Sequence, residues 1–405
     1  HPEPAWREFY TTARLVDELE TRPLDALYVG AEVLADDRMA VPDEEELAVW
    51  RDRAAEAGAR TDVLDRLDGG TTGLVAVLER GKGPTVGVRV DIDALPIEES
   101  SADDHVPAAR GFRSETDGYM HACGHDAHAT IGVGLVDSIV DSDFSGTLKV
   151  FFQPAEEVVG GGDPMARSGH LDDIDHFLAV HVGLDYPSGE VVAGVGGFLA
   201  VSGFRAEFHG QAAHAGNHPE QGASAVQAMT TAVGDLHSIP RHHDGATRVN
   251  AGEVGGGTAS NIVPEHAFVE GEVRGETTAL MEYMEGHRDR VLEAAARTHD
   301  CEVEVEQQAR APSAESDAEL VDVVAAAAGA TAGVGTVRRR GDLGGSEDAT
   351  FLMRRVQERG GLAAYVAVGT DHPGGHHTGT FDVDEADIDV AIDVLSGTVR
   401  RLSER

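Results

Sequence analysis

The sequence predicts an α/β fold in which a mainly parallel sheet is interrupted by a smaller α+β domain. At 405 residues, the chain is too long for one typical hydrophobic core, so two domains are expected. Strand patterns alternate with helical patterns near both ends of the chain, which is typical of a parallel sheet. The middle of the chain has a different order of strands and helices. We therefore expect one domain made of residues 1–197 and 310–405, with residues 198–309 inserted into it.

The first part of the chain contains the elements of a strand–helix–strand fold. Residues 44–59 carry apolar side chains at helical spacing and predict a surface helix. Alternating or continuously apolar runs bounded by turn residues predict strands at 85–92, 146–153 and 176–182. A segment of small residues at 129–140 predicts a helix between the first two strands. In such a sheet, ligands gather at the carboxyl ends of the strands.

The pattern changes after about Gly197. Strands are predicted at 204–209, 248–254 and 266–274, and helices at 223–236 and 278–296. From about Ala311 the α/β pattern resumes, with helices from 317, near 348–357 and from 384, and a strand at 363–368. One domain interrupted by another is the simplest account of this order.

The chain carries a formal charge of −40 at pH 7, and its acidic residues are spread over the whole length. A charge of this size destabilises a compact state through self-repulsion, unless high salt screens it. We therefore expect a protein adapted to a salt-rich cytoplasm. A basic partner would instead require clustered acidity, and nucleic-acid binding would require a basic stripe.

The sequence contains no run of about 18 apolar residues, so a membrane-spanning helix is not expected. Two cysteines are too few for a disulfide framework and fit a reducing compartment. The chain begins with His and lacks a secretory leader, so we expect that a segment precedes it.

The octet HACGHDAH at residues 121–128 is the strongest chemical signal in the chain. It places a thiol, a carboxylate and three imidazoles within eight residues, a ligand set that suits a divalent metal ion. An ordinary helix-capping turn is the alternative interpretation.

Two further segments carry candidate ligands. Glu156 and Glu157 follow a predicted strand and Pro154. If the chain turns there, one carboxylate can bind an ion while the other takes a proton from water. Two exposed acids in a very acidic protein are the alternative. His181 ends a predicted strand, and the pair 376–377 follows another.

Several motifs in the same order resemble the M20 metallopeptidases, in the amidohydrolase branch that includes aminoacylases, hippurate hydrolases and auxin-conjugate hydrolases. The matching strings are RVDIDALPIEE, MHACGHDAHATIGVG, FFQPAEE, AVHVG and HHTGTFDVDE. Within that branch, HPEPAWREF, AEVLADDRMAVPDE, GFRSETDGYMHACGHD and GSEDATFLM are most similar to the p-aminobenzoyl-glutamate hydrolases. The resemblance covers essentially the whole chain. It implies a zinc-peptidase-like catalytic domain and an inserted lid and dimerisation domain.

The resemblance also implies a site that holds two divalent ions, Zn²⁺ or Mn²⁺, with Co²⁺ or Ni²⁺ as alternatives. Cys123 would bridge the ions. One ion would also bind His125 and His181, and the other would bind Glu157 and His377, which has the family's spacing to Phe381. In the same resemblance, Glu156 is the general base and Asp93 orients a ligand; a turn-capping Asp is the alternative for Asp93.

In the insert, His214 matches a histidine that relatives lend to the partner subunit's active site, where it steadies the developing oxyanion. A turn residue is the alternative for His214. Asn261 and Arg274 match positions that hold the substrate carboxylate. The segment PEQGASAV lacks an Asn that is common in relatives, and TDHPGGHHTGT also departs from the usual pattern.

The resemblance implies a homodimeric amidohydrolase that cleaves small N-acyl or N-aroyl amino acids, such as p-aminobenzoyl-glutamate. A dipeptidase or aminoacylase of the same family is the alternative within enzymes. A non-catalytic subunit paired with a paralogous chain, or a metal-buffering protein, are the alternatives outside that activity.

Overall fold

The computed structural model describes residues 1–372 and 374–404. These residues form two compact units. The first consists of His1–Gly197, Ala314–Leu343 and the chain from Glu347 onward, and the second of Phe198–Ser313 and Gly344–Ser346.

The described residues form fifteen strands and eleven α-helices. The strands are β1 Ala26–Val29, β2 Leu74–Glu79, β3 Thr85–Asp91, β4 Thr147–Gln153, β5 His176–Val182, β6 Glu190–Gly196, β7 Ala200–His209, β8 Ala213–His214, β9 Thr247–Gly256, β10 Ile262–Val263, β11 His266–Gly275, β12 Glu302–Ala311, β13 Thr336–Arg338, β14 Gly341–Asp342 and β15 Leu362–Val368. The helices are α1 Phe9–Glu20, α2 Glu44–Glu56, α3 Thr61–Leu64, α4 Val106–Arg110, α5 His125–Val140, α6 Gly162–Ala166, α7 Ala225–Leu236, α8 Thr278–Thr298, α9 Ala318–Ala328, α10 Ala349–Glu358 and α11 Glu385–Ser403.

The first unit is built on a mixed sheet with the order β1-β2-β4-β3-β5-β15-β6-β13, in which β14 also pairs with β6. The four central strands, β4, β3, β5 and β15, run parallel to one another. Antiparallel pairing joins β1 to β2, β2 to β4, and β6 to β15. The predicted mainly parallel sheet is therefore confirmed for the strands that carry the candidate ligands.

The central strands are almost completely buried, as their continuously apolar sequences predict. In β5 every residue after His176 is buried, and in β15 every residue after Leu362 is buried. Since parallel neighbours end at the same edge of a sheet, the segments that follow these strands are brought together there.

The second unit has a four-stranded antiparallel sheet in the order β12-β7-β11-β9. Apolar side chains of α7 and α8 pack with those of the sheet in one core that includes Phe204, Phe208 and Met284. A separate two-stranded pairing joins β8 to β10. The predicted boundary at residue 309 would cut through β12, a strand that was not predicted. The unit continues instead to Ser313.

Helix α5 begins at His125 rather than at Ala129. Gly124 precedes it with a left-handed φ of 82°, a conformation that glycine adopts without strain. The second half of the 121–128 octet therefore lies inside the first turn of the helix, where side-chain directions are fixed by the helix. Among the described residues, no helix has both the length and the apolar composition that crossing a bilayer requires.

Candidate metal centre

The central strands place five of the predicted site residues at one edge of the sheet. Asp93 follows β3, Glu156 and Glu157 follow β4, His181 lies near the end of β5, and His377 follows β15. Cys123 and His125 come from the segment that enters α5, the helix after β3. Residues far apart in the sequence thus reach one place because parallel strands end together.

A first group of candidate ligands contains Cys123, His125 and His181. One ligand atom from each lies within 4.8 Å of the other two, and all three residues are buried. The Sγ of Cys123 lies 3.5 Å from Nε2 of His181. A thiol and two imidazoles at these distances match the ligand preference of Zn²⁺ and related ions.

A second group contains Cys123, Glu157 and His377, again with ligand atoms within 4.8 Å of one another. His377 Nε2 lies 3.4 Å from Glu157 Oε2. Its backbone has a left-handed φ of 62°, which is uncommon for a residue with a side chain. The His377 N–H donates to the carbonyl of Ala122 over 2.8 Å, which ties this loop to the Cys123 segment. The two groups share Cys123 alone.

His376 has other partners. Its Nε2 lies 3.3 Å from the carbonyl oxygen of Val182, and its ring packs 4.7 Å from that of Phe381. Burial lowers the pKa of His376 to about 4. The structure therefore separates the two adjacent imidazoles: His377 faces Glu157, and His376 packs into the protein.

Asp93 is completely buried and contacts both groups. His125 Nδ1 donates to the Asp93 carbonyl over 3.0 Å and to its Oδ1 over 3.2 Å. The Glu157 N–H donates to Asp93 Oδ2 over 2.9 Å. With the proton on Nδ1, the Nε2 lone pair of His125 is free, as a metal ligand requires.

The predicted turn after Pro154 is present. Ala155 has a φ of 56°, and the Gly160 N–H donates to its carbonyl over 2.9 Å. The Ala155 N–H donates over 2.8 Å to Oε1 of the buried Glu8, which holds this uncommon conformation in place. As a result, Glu156 and Glu157 both approach His125, with ligand atoms of the three residues within 4.8 Å.

Burial dominates the electrostatics of these groups. It raises the pKa of the Cys123 thiol to about 12 and that of Glu157 to about 7. The pKa of Glu156 is raised well above its ordinary value, first by burial and then by the neighbouring carboxylates of Glu347 and Glu157. The pKa of His181 is lowered well below its ordinary value by burial. His125 differs from these groups: burial opposes its positive charge, but the charge of Asp91 raises its pKa well above the ordinary value. A bound cation would instead stabilise the ionised forms of Cys123 and Glu157.

The residues present fit a metal centre. Nε2 of His125 and Oε1 of Glu157 are buried and have no hydrogen-bond partner among the described residues. Buried polar atoms rarely lack a partner without a reason, and a missing ion is one such reason. The donor set of one sulfur, three imidazoles and a carboxylate suits Zn²⁺, Mn²⁺, Co²⁺ or Ni²⁺.

A buried charge network behind this centre includes residues that were not among the predicted site residues. Arg89 is completely buried; its Nη1 donates to Asp91 over 2.7 Å, and its Nη2 lies 3.2 Å from Glu347 and 3.1 Å from Asp348. Tyr365 donates from its hydroxyl to Glu347 over 2.7 Å. The strings RVDID and GSEDATFLM contain these acids, but no local pattern pairs residues so far apart.

In the second unit, His214 and Asn261 are neighbours, and both are exposed. His214 lies opposite Ile262 in the β8–β10 pairing, and the Ala215 N–H donates to the Asn261 carbonyl over 3.0 Å. The N–H groups of Gly216 and Asn217 donate to His214 Nδ1 over 3.1 and 3.2 Å. The proton of a neutral His214 therefore sits on Nε2, which can donate to another molecule.

Arg274 lies on β11, and its guanidinium is paired with Glu272 two residues before it on the same strand. Nε and Nη2 donate to the two carboxylate oxygens of Glu272 over 2.8 and 2.9 Å. Nη1 lies 3.4 Å from Ser346 Oγ. The Arg274 guanidinium, which was expected to bind a substrate carboxylate, is thus paired in this structure with the carboxylate of Glu272.

A family model described as peptidase family M20/M25/M40 matches residues 87–401. Indole-3-acetyl-aspartic acid hydrolase of Enterobacter agglomerans is 39% identical over 402 residues, covering 98% of this chain and 92% of that protein. One of the subunits of p-aminobenzoyl-glutamate hydrolase of Escherichia coli is 38% identical over 403 residues, with the same two coverages of 98% and 92%. The resemblance predicted from the motifs is thereby confirmed.

Solved structures give the same relationship. An aminobenzoyl-glutamate utilization protein from Klebsiella pneumoniae has a TM-score of 0.83 and 34% identity, and the match covers 99% of this chain and 92% of that one. A dinuclear metal-binding peptidase of the M20 family from Bacillus subtilis shares the fold, with a TM-score of 0.69 and 24% identity over 100% of this chain and 95% of that one. With the family model spanning most of its length and full-length relatives above one-third identity, the chain belongs to peptidase family M20/M25/M40.

Proposed function

We propose that this protein is a metal-dependent amidohydrolase that cleaves the amide bond of N-acyl or N-aroyl amino acids. The single observation that carries the proposal is the pair of ligand groups that share Cys123, with Glu156 beside them. The names of the relatives support the substrate class, since they are hydrolases of aroyl-glutamate and of indole-acetyl-aspartate.

In this proposal the two groups described above would hold two divalent ions. His125 and His181 would hold one ion, Glu157 and His377 would hold the other, and Cys123 would be a ligand of both. When bound, such ions supply Lewis-acid polarisation of the amide carbonyl and make water a better nucleophile at neutral pH. The Cys123 thiolate and the Glu157 carboxylate would offset part of the positive charge of bound ions.

Glu156 carries the proton in the reaction. Its carboxylate takes a proton from the attacking water and then gives it to the leaving nitrogen, so that one water and one amide become a carboxylic acid and an amine. A carboxyl whose surroundings raise its pKa retains the proton between these two steps. Asp93 is a positioning residue, because it fixes the His125 ring and the backbone of Glu157.

Three residues of the second unit are proposed to contact substrate. Arg274 would bind the carboxylate of the amino-acid part by its bidentate fork, and Asn261 would assist it. His214 would donate from Nε2 to the oxyanion that forms at the carbonyl, in the active site of a partner subunit. The backbone bonds to Nδ1 support this role, since they leave Nε2 as the donor.

We also propose that the protein works as a homodimer, or with a paralogous subunit, in a salt-rich cytoplasm. The Escherichia coli relative is named as one subunit of its enzyme, which supports a partner chain. The net charge of −40 supports the salt requirement. Light scattering of the purified chain in molar KCl would give its molar mass and therefore its oligomeric state. Circular dichroism during desalting would test the salt requirement, since we expect the chain to unfold as the salt is removed.

An assay of the isolated chain tests the proposed activity. Metal-free protein would be given Zn²⁺, Mn²⁺, Co²⁺ or Ni²⁺ in molar KCl and offered p-aminobenzoyl-glutamate, indole-acetyl-aspartate, N-acetyl amino acids and dipeptides. We expect metal-dependent hydrolysis, fastest for an aroyl or aryl-acetyl conjugate of an acidic amino acid. Fastest turnover of dipeptides would favour the dipeptidase alternative. No hydrolysis with any metal would contradict the proposal and favour a non-catalytic or buffering role.

The two cysteines provide a matched control for the metal site. Both are buried and free, but Cys301 packs in the core of the second unit. Cys123→Ser should reduce the number of bound ions measured after dialysis, and Cys301→Ser should not. Equal binding by both variants would remove Cys123 from the centre.

A further inference from the structure

The backbone of Val182 is contacted by imidazoles at both its N–H and its carbonyl. The Val182 N–H donates to Nε2 of His128 over 2.9 Å. The Val182 carbonyl accepts from Nδ1 of His181 over 2.7 Å, and His376 Nε2 lies 3.3 Å from the same oxygen. This short stretch of backbone therefore links three histidines from three segments of the chain.

These bonds fix where the proton of His128 lies. A backbone N–H is always a donor, so Nε2 of His128 must accept and cannot carry a proton. The proton of the neutral ring is then on Nδ1, which hydrogen-bonds Oδ1 of Asp91. Oδ2 of Asp91 is in turn bound by Arg89 Nη1 over 2.7 Å. Since its Nε2 lone pair is occupied, His128 is not available as a metal ligand, although it belongs to the octet.

The same bonds fix the proton of His181. The Val182 carbonyl can only accept, so Nδ1 of His181 carries the proton and Nε2 keeps its lone pair. That Nε2 is the atom that lies 3.5 Å from Cys123 Sγ. The orientation of the His181 ring thus depends on the position of the Val182 carbonyl. The backbone of Val182 is held by the pairing of β5 with β15 and, at its N–H, by His128.

We propose that His128 is a positioning residue for His181: it acts through the backbone of Val182 and does not bind the metal itself. The proposal rests on the proposed function, because it assumes that His181 binds an ion. His128 is completely buried, and both of its ring nitrogens are used. Asp91, which is paired with Arg89, binds Nδ1 of the His128 ring. The position of His128 is therefore fixed by the buried charge network of the first unit.

Substitutions of His128 that keep one bond at a time provide the test. In His128→Gln the amide oxygen can lie where Nε2 was and accept from the Val182 N–H. In His128→Asn the shorter amide reaches Asp91 but not Val182. His128→Leu removes both bonds. The three variants, with His181→Ala for reference and exposed His237→Ala as a neutral control, would be compared with the unmodified full chain.

Metal affinity is the primary measurement, made by equilibrium dialysis and by titration with Co²⁺ followed by visible absorption. We expect His128→Asn and His128→Leu to lower the affinity for one of the two ions by about 10- to 100-fold, which is the usual effect of losing a hydrogen bond that orients a ligand. The ion that these variants bind less tightly should be the same ion that His181→Ala no longer binds. His128→Gln should stay within a few-fold of the unmodified chain, and its Co²⁺ absorption should keep the same bands.

A purely structural role for His128 would give a different pattern. All three variants would then unfold more easily without metal, and His128→Gln would bind Co²⁺ no better than His128→Asn. Such a result would overturn the proposal, as would loss of both ions to the same extent. The proposed function is judged separately, because an unmodified chain that binds no ion would refute it whatever the variants do.

Discussion

Glu157 Oε2 lies 3.4 Å from His377 Nε2, and the backbone N–H of the same glutamate donates to Asp93 over 2.9 Å. One residue of the β4 turn is thereby fixed by the segment after β3 and faces the loop after β15. The neighbouring Glu156 also approaches His125, and its carbonyl accepts from the Val159 N–H within the same turn over 2.7 Å. The two adjacent carboxylates are therefore placed for different tasks.

Separate substitutions of Glu156 and Glu157 should distinguish proton transfer from metal binding. Glu156→Gln should keep both ions and lose turnover by about 10²- to 10⁴-fold, the usual contribution of a general acid or base. Glu157→Gln should lose affinity for an ion, because it removes a ligand charge. Metal content after dialysis and kcat with the best substrate measure the two effects. Activity of Glu156→Gln close to that of the unmodified chain would remove Glu156 from proton transfer.

Glu272 should compete with the substrate for Arg274. Arg274→Ala should raise KM for a substrate with a free carboxylate by about 10- to 100-fold, since charge-assisted bonds contribute about 1.5–3 kcal/mol. Glu272→Gln should weaken the pair within the protein and lower KM for the same substrate. A substrate whose carboxylate is capped as an amide is the control, and its KM should not respond to either change. Unchanged KM in Arg274→Ala would exclude this residue as the carboxylate anchor.

Arg89 should be among the residues whose loss destabilises the fold most. Its guanidinium faces three buried acids, so Arg89→Met leaves uncompensated charge in the core, and we expect a loss of about 3–5 kcal/mol in the free energy of unfolding. The control is Arg400→Ala, which breaks an exposed pair with Asp143 and should change the free energy by less than about 1 kcal/mol. Urea unfolding in molar KCl measures both. Similar losses in the two variants would show that the network is not needed for stability.

Glu3 should make stability depend on pH. Burial raises its pKa to about 7 from an ordinary value of 4.5, although the carboxyl accepts from the N–H groups of Tyr10 and Thr11. Because the folded state holds this proton more tightly than the unfolded state, the contribution is complete below about pH 4.5 and is lost as pH rises through about 7. The shift corresponds to about 3 kcal/mol.

The comparison that isolates Glu3 is the slope of unfolding free energy against pH for Glu3→Gln and for the unmodified chain. We expect a smaller fall between pH 4.5 and 7 in the variant, in molar KCl to screen the net charge. Parallel curves would show that Glu3 ionises in the folded protein at its ordinary pKa.

The four central parallel strands of the sheet could be predicted from the sequence, because they are largely buried and read as alternating or continuous apolar runs. The predicted strands at 176–182 and 363–368 differ from β5 and β15 by at most one residue. The buried strands β2 and β6 were missed. The short edge strands β1, β13 and β14 were also missed, because they contain few buried residues and pair with neighbours that are distant in the sequence.

The candidate site was predictable where several ligands share a short motif or follow a strand. The buried charge network next to the site was not predictable from the sequence. The pairing of Arg89 with Glu347 and Asp348 depends on how elements that are distant in the sequence pack together. The role of His128 was also hidden. In sequence it looks like a third ligand, and only the Val182 N–H at its Nε2 shows otherwise. The pairing of Arg274 with Glu272 could have been found, because alternate residues of a strand share a face.

The location of bound ions tests the central claim most directly. Crystals grown with Zn²⁺ and measured at its absorption edge would give anomalous peaks at the ion positions. The account predicts two peaks, each at about 2.3 Å from Cys123 Sγ, the usual Zn–S distance. One peak should adjoin His125 and His181, and the other should adjoin Glu157 and His377. A single peak, or two peaks that do not share Cys123, would contradict it.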